Sequence, residues 1–214
     1  MKAFLITVST LLVVLSGTAS SAAAQETQVS FQELRRGGYA ILFRHGETDR
    51  SLLPREQRKP EPSPMDLANC EIQAKLNEKG REDARAIGAA FKTLGIPVGV
   101  VLASGYCRTM ETARLAFGRA EASDSLLHPA YKPALGASMP PSFSKRMEAL
   151  RQLLATSSAA GVNTVLVSHG EIFRDVIGTE GKTGEALIYK PNGQGGSTLV
   201  GRVLPNEWSV RSAQ

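Results

Sequence analysis

Apolar residues occur along this chain in two patterns, short unbroken runs and longer stretches in which they return every three or four positions. The run Tyr39-Ala40-Ile41-Leu42-Phe43 follows the Gly37-Gly38 breaker and has no polar face, which predicts a strand buried on both sides. Residues 98–103 and 164–167 predict two further strands of the same kind. Between them, Ala84, Ile87, Phe91 and Leu94 keep helical spacing after Asn77, an N-cap residue type, and Gly95 supplies the stop. Residues 108–117 predict a second helix ended by Gly118. Ser142 or Ser144 starts a third, carrying Met147, Leu150 and Leu154. Residues 32–36 form a short amphipathic segment. Near the end, 187–189 and 198–203 flank a turn region rich in Gly and Asn and predict a hairpin.

Strands and helices that alternate in this order predict an α/β fold: a three-layer αβα domain with a largely parallel central sheet and a C-terminal hairpin. In such sheets ligands bind beyond the carboxyl ends of the strands, so the residues after 43, 103 and 167 become the candidates for function. The stretch 50–69 carries Pro54, Pro60, Pro62 and Pro64 and predicts an exposed loop, either a binding loop or lid or a plain excursion. No internal repeat or linker divides the chain.

The N-terminus departs from this pattern. Lys2 is followed by an apolar stretch from Phe4 to Leu15 and then by small residues ending in Ala22-Ala23-Ala24, the grammar of a signal peptide over 1–24 with one domain at 25–214. The apolar core is too short for a comfortable membrane span, and no stable membrane insertion is expected after cleavage. Losing Lys2 takes the 25 basic side chains to 24 against 20 acidic ones, a net charge of +4. That mild excess suits a small anionic substrate. Without a basic tract interleaved with aromatics it gives no support to nucleic-acid binding. Export to the periplasm or medium would place Cys70 and Cys107 in an oxidising compartment, where a bridge is expected, two free thiols being the alternative. No His or Cys spacing suggests a metal, no cofactor is expected, and nothing here sets an oligomeric state.

The three predicted strand ends carry a consistent chemistry. The first runs into Arg44-His45-Gly46-Glu47-Thr48, the second into Ser104-Gly105-Tyr106-Cys107-Arg108-Thr109, and the third into Ser168-His169-Gly170-Glu171. Two of the three histidines and two arginines thus stand at the mouths of strands. A phosphate monoester needs such groups: planar guanidinium forks for its oxygens, positive charge for the transition state, and a neutral imidazole for in-line attack.

These segments resemble the histidine phosphatase superfamily, the fold shared by cofactor-dependent phosphoglycerate mutases and many phosphatases. The likeness rests on Arg44-His45-Gly46, on Ser104 with Arg108, Thr112 and Ala113, and on His169-Gly170. The stretch from Cys70 to Arg81 is similar to exported bacterial phosphatases of that superfamily. The resemblance implies a phosphomonoesterase in which His45 attacks phosphorus, a backbone carbonyl orients its other nitrogen, and Arg44, Arg108 and His169 hold the phosphate.

The general acid stays open. Glu171, two residues after His169, is the first candidate, with Glu121, Asp124 and Glu185 as alternatives; for Glu171 the competing reading is a helix-start carboxylate favoured by the dipole. Ser51 stands where many mutases carry Asn, and Gly105 where Pro is usual, which puts mutase activity in doubt. Thr48 and Ser51 either touch substrate or serve the loop, and His128, beside Pro129, is expected in a surface loop, with lining of the pocket as the alternative. Phosphoglycerate mutase-like transfer and a non-catalytic phosphate-ligand binding protein remain the alternatives to a phosphatase.

Overall fold

The computed structural model describes residues 30–53 and 64–210; the expected signal peptide and Pro54, Pro60 and Pro62 lie outside the described residues. In chain order the elements are α1 (Phe31–Leu34), β1 (Ala40–Arg44), β2 (Thr48–Asp49), β3 (Lys75–Leu76), α2 (Glu78–Thr93), β4 (Val98–Ala103), α3 (Cys107–Phe117), β5 (Glu121–Ala122), α4 (Phe143–Ala155), β6 (Asn163–Ser168), α5 (Gly170–Ile177), β7 (Ala186–Pro191), β8 (Ser197–Val203) and α6 (Glu207–Val210). Six strands form one sheet in the order β5-β4-β6-β1-β7-β8. The first four are parallel, and β7 and β8 close the other edge as the expected antiparallel hairpin.

The unbroken apolar strands reflect burial on both faces, since neighbouring side chains point to opposite sides of a sheet. From β1, Ile41 and Phe43 enter one core with Ile87, Phe91, Val101 and Val165. Ala40 and Leu42 enter the other with Met147, Leu150, Leu166 and Leu187. The helices that cover these faces begin and end as their sequences direct. Asn77 caps α2, its side chain accepting from the Gly80 N–H at 2.8 Å. Gly118 closes α3 with φ 74°, a left-handed conformation that suits glycine.

Some elements lie beyond the sequence expectations. The edge strand β5 is two residues long, and α6 closes the described chain by burying Trp208, which stacks on Phe31 with centroids 5.1 Å apart. At the described ends of the Pro-rich stretch Ser51, Pro64, Asp66, Ala68 and Asn69 are exposed, as expected of a loop. Leu53 and Met65 are buried, and the Met65 N–H donates to the Lys132 carbonyl at 2.8 Å while Ala134 N–H returns to the Met65 carbonyl at 3.1 Å. Cys70 and Cys107 form a disulfide with Cα atoms 5.7 Å apart.

Candidate active site

Parallel register gathers the three strand ends. Arg44 of β1 lies opposite Ser168 of β6, and Ala103 of β4 opposite Val167, so the residues that follow emerge side by side. The backbone continues the ladder past the strands: His45 N–H donates to the Ser168 carbonyl at 3.0 Å and Ser104 N–H to the Val167 carbonyl at 2.9 Å. Arg44, His45, Arg108 and His169 therefore share one site.

His45 is held in one orientation. Its Nδ1 lies 2.8 Å from the Gly46 carbonyl, which can only accept, so the ring proton sits on Nδ1 and the Nε2 lone pair is left available. The Gly46 N–H donates to Thr112 Oγ1 at 3.0 Å, and that hydroxyl donates to the Arg108 carbonyl at 2.7 Å, coupling the loop after His45 to α3. Glycine is needed at position 46 because a Cβ there would lie 2.8 Å from the Gly80 carbonyl oxygen. Burial, then the positive field of Arg108, pushes the His45 pKa down to about 3, keeping the imidazole neutral.

His169 is wholly buried, and both its nitrogens are engaged. Arg108 Nη2 donates to Nδ1 at 3.1 Å, which fixes the proton on Nε2, and Nε2 donates to Ser104 Oγ at 2.8 Å. The expected hydrogen bond from His169 to phosphate is thus not available in this arrangement; the ring holds the Arg108 guanidinium instead. Tyr106 supports the same group from its other side, with Arg108 Cζ 4.6 Å from the ring centroid. Burial, chiefly, and Arg108 hold the His169 pKa well below its ordinary value.

Arg44 approaches from β1. Its Nη1 donates to the Gly181 carbonyl at 2.8 Å and lies 3.9 Å from Glu180, and its Nε is buried without a hydrogen-bond partner. The guanidinium lies against Gly170, where a Cβ would come within 2.8 Å of Arg44 Cζ. That contact accounts for glycine after His169.

The acid candidates separate clearly. Glu185 is buried but occupied: Oε2 accepts from the Lys182 N–H at 2.7 Å and Oε1 from Arg202 Nε at 2.7 Å. Glu121 is exposed on the edge strand, and Asp124 is exposed and faces Tyr131 and Arg146 rather than the site. Glu171, in the first turn of α5, is the candidate carboxylate whose field reaches Arg44, His45 and Arg108. His128 Nε2 lies 3.3 Å from its Oε1, and that hydrogen bond pulls the Glu171 pKa down to about 2.

His128 stands in a loop, as expected, and that loop borders the site. Its ring is 5.3 Å from that of His169, which is 5.6 Å from that of His45, so all three histidines of the chain meet here. Ser51 takes the loop role: its hydroxyl donates to Asp49 Oδ2 at 2.7 Å. Gln73, inside the Cys70–Arg81 stretch, was given no role of its own by the sequence. Its side chain, wholly buried, donates to the Asp66, Leu67 and Asn69 carbonyls and accepts the Cys107 N–H at 2.9 Å, fastening the loop to the start of α3 beside the disulfide. Among the described residues no group of three or more His, Cys, Asp or Glu is arranged to hold a metal ion.

The geometry can be set against known proteins. Residues 40–126 match the family model described as "Histidine phosphatase superfamily (branch 1)". No curated protein sequence matches the chain. Among solved structures, an Escherichia coli K-12 protein provisionally described as an alpha-ribazole-5'-P phosphatase superposes with a TM-score of 0.50 at 18% identity, over 76% of this chain and 94% of its own. The protein histidine phosphatase SixA complexed with tungstate gives 0.47 at 17% identity, covering 78% and 97%. A phosphoserine phosphatase of Entamoeba histolytica in complex with phosphoserine gives 0.45 at 14% identity, covering 79% and 98%. Likenesses at these identities concern the fold.

Proposed function

The chain belongs to the histidine phosphatase superfamily, and from that membership we propose that it is an exported phosphomonoesterase working through a phosphohistidine on His45. One observation carries the reading: the Gly46 carbonyl accepts a hydrogen bond from Nδ1–H and burial keeps the ring neutral, so Nε2 offers a lone pair beside two guanidinium groups. Arg44 and Arg108 bind the phosphate oxygens through their guanidinium groups. His169 acts through Arg108 by holding its guanidinium.

Nε2 forms the bond to phosphorus as the bond to the leaving oxygen breaks. Glu171 stands ionised in the resting site. The negative charge of a bound phosphate raises its pKa, and the carboxyl group that forms by proton uptake from solvent protonates the leaving oxygen. Returned to the carboxylate, it takes a proton from the attacking water, which breaks the N–P bond and releases inorganic phosphate. Free His45 is regenerated with Nδ1–H unchanged, Glu171 returns the water's proton to solvent and is ionised again, and the sum is monoester plus water to alcohol plus phosphate.

Export is supported by the leader pattern at 1–24 and by the Cys70–Cys107 bridge, which persists in oxidising compartments. The test is phosphate release by purified mature protein from a panel of sugar phosphates, nucleotides, phosphorylated envelope components and phosphopeptides. Release without a bisphosphate primer supports the phosphatase, dependence on a primer supports mutase-like transfer, and tight phosphate binding with no release in either case supports a binding protein.

A further inference from the structure

The segment carrying His128 is fixed with unusual thoroughness for a surface turn. Arg146 of α4, itself buried, directs its guanidinium at three successive carbonyls, with Nη1 3.0 Å from Leu127 O and 3.3 Å from His128 O, and Nη2 3.4 Å from Pro129 O. Ser168, at the end of β6, donates its hydroxyl to the Leu126 carbonyl at 2.7 Å. The His128 side chain, 20% exposed, packs edge-on against His169. Both neighbours of its ring nitrogens are one-way partners. The Ala130 N–H, 3.1 Å from Nδ1, can only donate, so Nδ1 carries no proton and the proton of the neutral ring is on Nε2, aimed at Glu171 Oε1.

We propose that His128 is a positioning residue that acts through Glu171, holding Oε1 by its Nε2–H so that the proton of the acid form rides on Oε2. This rests on the reading of Glu171 as the proton-handling carboxyl. A second effect follows from the same bond: an N–H donor favours the carboxylate, as do the positive groups facing Glu171, Arg108 and Arg44, while neutral His45 adds no charge. The pair thereby keeps Glu171 ionised until an anionic substrate arrives, and restores it as a base once the leaving group has departed. Two further aspects distinguish His128 from a structural histidine. Its tautomer is opposite to that of His45, and its hydrogen-bond acceptor is a carboxylate at the site rather than the surrounding backbone.

The test uses the full mature chain without an affinity tag, so that His45, His128 and His169 are its only imidazoles. Nitrogen-15 NMR of the rings reads the tautomers without any need for activity. His128 and His169 are expected as Nε2–H and His45 as Nδ1–H; a Nδ1–H tautomer at His128 overturns the proposal. Kinetics then compare an alkyl monoester, glycerol 1-phosphate, with p-nitrophenyl phosphate, whose leaving group needs little protonation. In H128A the alkyl-to-aryl ratio of kcat is expected to fall on the order of tenfold or more. H128Q, which keeps an N–H donor, recovers part of it, and the effect of H128A vanishes in an E171A background. Equal losses on both substrates, no recovery in H128Q, or an undiminished effect without Glu171 overturns the proposal. If wild-type protein releases phosphate from neither ester while the tautomers are as expected, it is the phosphatase reading that fails, and this inference falls with it.

Discussion

Replacing Gly170 by alanine separates catalysis from stability, because the three heavy atoms nearest the new methyl group all belong to the Arg44 guanidinium. The Cβ would lie 2.8 Å from Arg44 Cζ, 2.9 Å from Nη1 and 3.1 Å from Nε. Ordinary carbon contacts begin near 3.4 Å, so the guanidinium must retreat by about 0.6 Å. The fold yields easily, since the obstacle is the end of a long side chain, and Gly170 opens α5 without a positive φ. Alanine should even help the helix by up to about 1 kcal/mol. The proposed phosphate site has less tolerance, because Arg44 Nη1 is tied to the Gly181 carbonyl at 2.8 Å and cannot move without loosening that bond. A displacement of this size should lower kcat/KM roughly tenfold, about 1.4 kcal/mol in the barrier, and weaken competitive inhibition by inorganic phosphate by a similar factor. Thermal denaturation of G170A should give a midpoint equal to or above wild type. Unchanged kcat/KM and phosphate inhibition would refute the placement of Arg44, and a loss of activity accompanied by a lowered midpoint would refute the separation.

Arg108→Ala should cost about 1.5 to 3 kcal/mol in kcat/KM, through both kcat and KM, and Arg108→Lys should not restore it because lysine has no planar fork; full recovery in the lysine variant would contradict this. Acidification should destabilise the protein well before carboxylates titrate. With the His45 pKa near 3 and that of His169 also depressed, the unfolded chain binds protons below about pH 6.5 that the native state does not, so this stability is present above 6.5 and is lost as pH falls toward 3. The urea midpoint should be lower at pH 5 than at pH 7.5, and an equal or higher midpoint at pH 5 would contradict the buried neutral rings. The Cys70–Cys107 bridge spans 37 residues, for which chain entropy gives an upper figure of about 4 kcal/mol. The doubly Ser-substituted protein should melt several degrees lower while keeping phosphatase activity, and equal melting would contradict a stabilising role for the bridge.

The main strands were legible because a side chain on a doubly covered strand has no polar option. Ala40, Leu42, Ile41 and Phe43 serve two different cores, and only an unbroken apolar run can do that. Asn77 and Gly118 marked helix ends through chemistry confined to a single residue. Arg44, His45, Arg108 and His169 were legible as a set because parallel strands deliver whatever follows them to one edge. What His169 touches was not. Its engagement by Arg108 and Ser104 depends on the relative height of two strand ends, which no local pattern encodes. His128 was hidden for a similar reason. A His-Pro pair reads as loop, and the carbonyl contacts of Arg146 that bring it to the site come from a helix later in the chain. Gln73 lies within the Cys70–Arg81 stretch, yet a glutamine gives no sign that its amide will be buried against three carbonyls. The buried Trp208 was equally silent, since four residues of α6 are too few to show a period.

The central claim is that His45 becomes phosphorylated at Nε2, and rapid-quench trapping tests it most directly. Wild-type mature protein is mixed with a phosphorus-32-labelled monoester, quenched in alkali to preserve phosphohistidine, and mapped by mass spectrometry. The account predicts label on His45 within the first turnover, an acid-labile and alkali-stable bond, and none in H45A, which should retain the wild-type circular dichroism because His45 stands beyond the buried strand residues Ala40 to Phe43. Phosphate release by H45A at the wild-type rate, or turnover by wild type with the label on another residue, would contradict it.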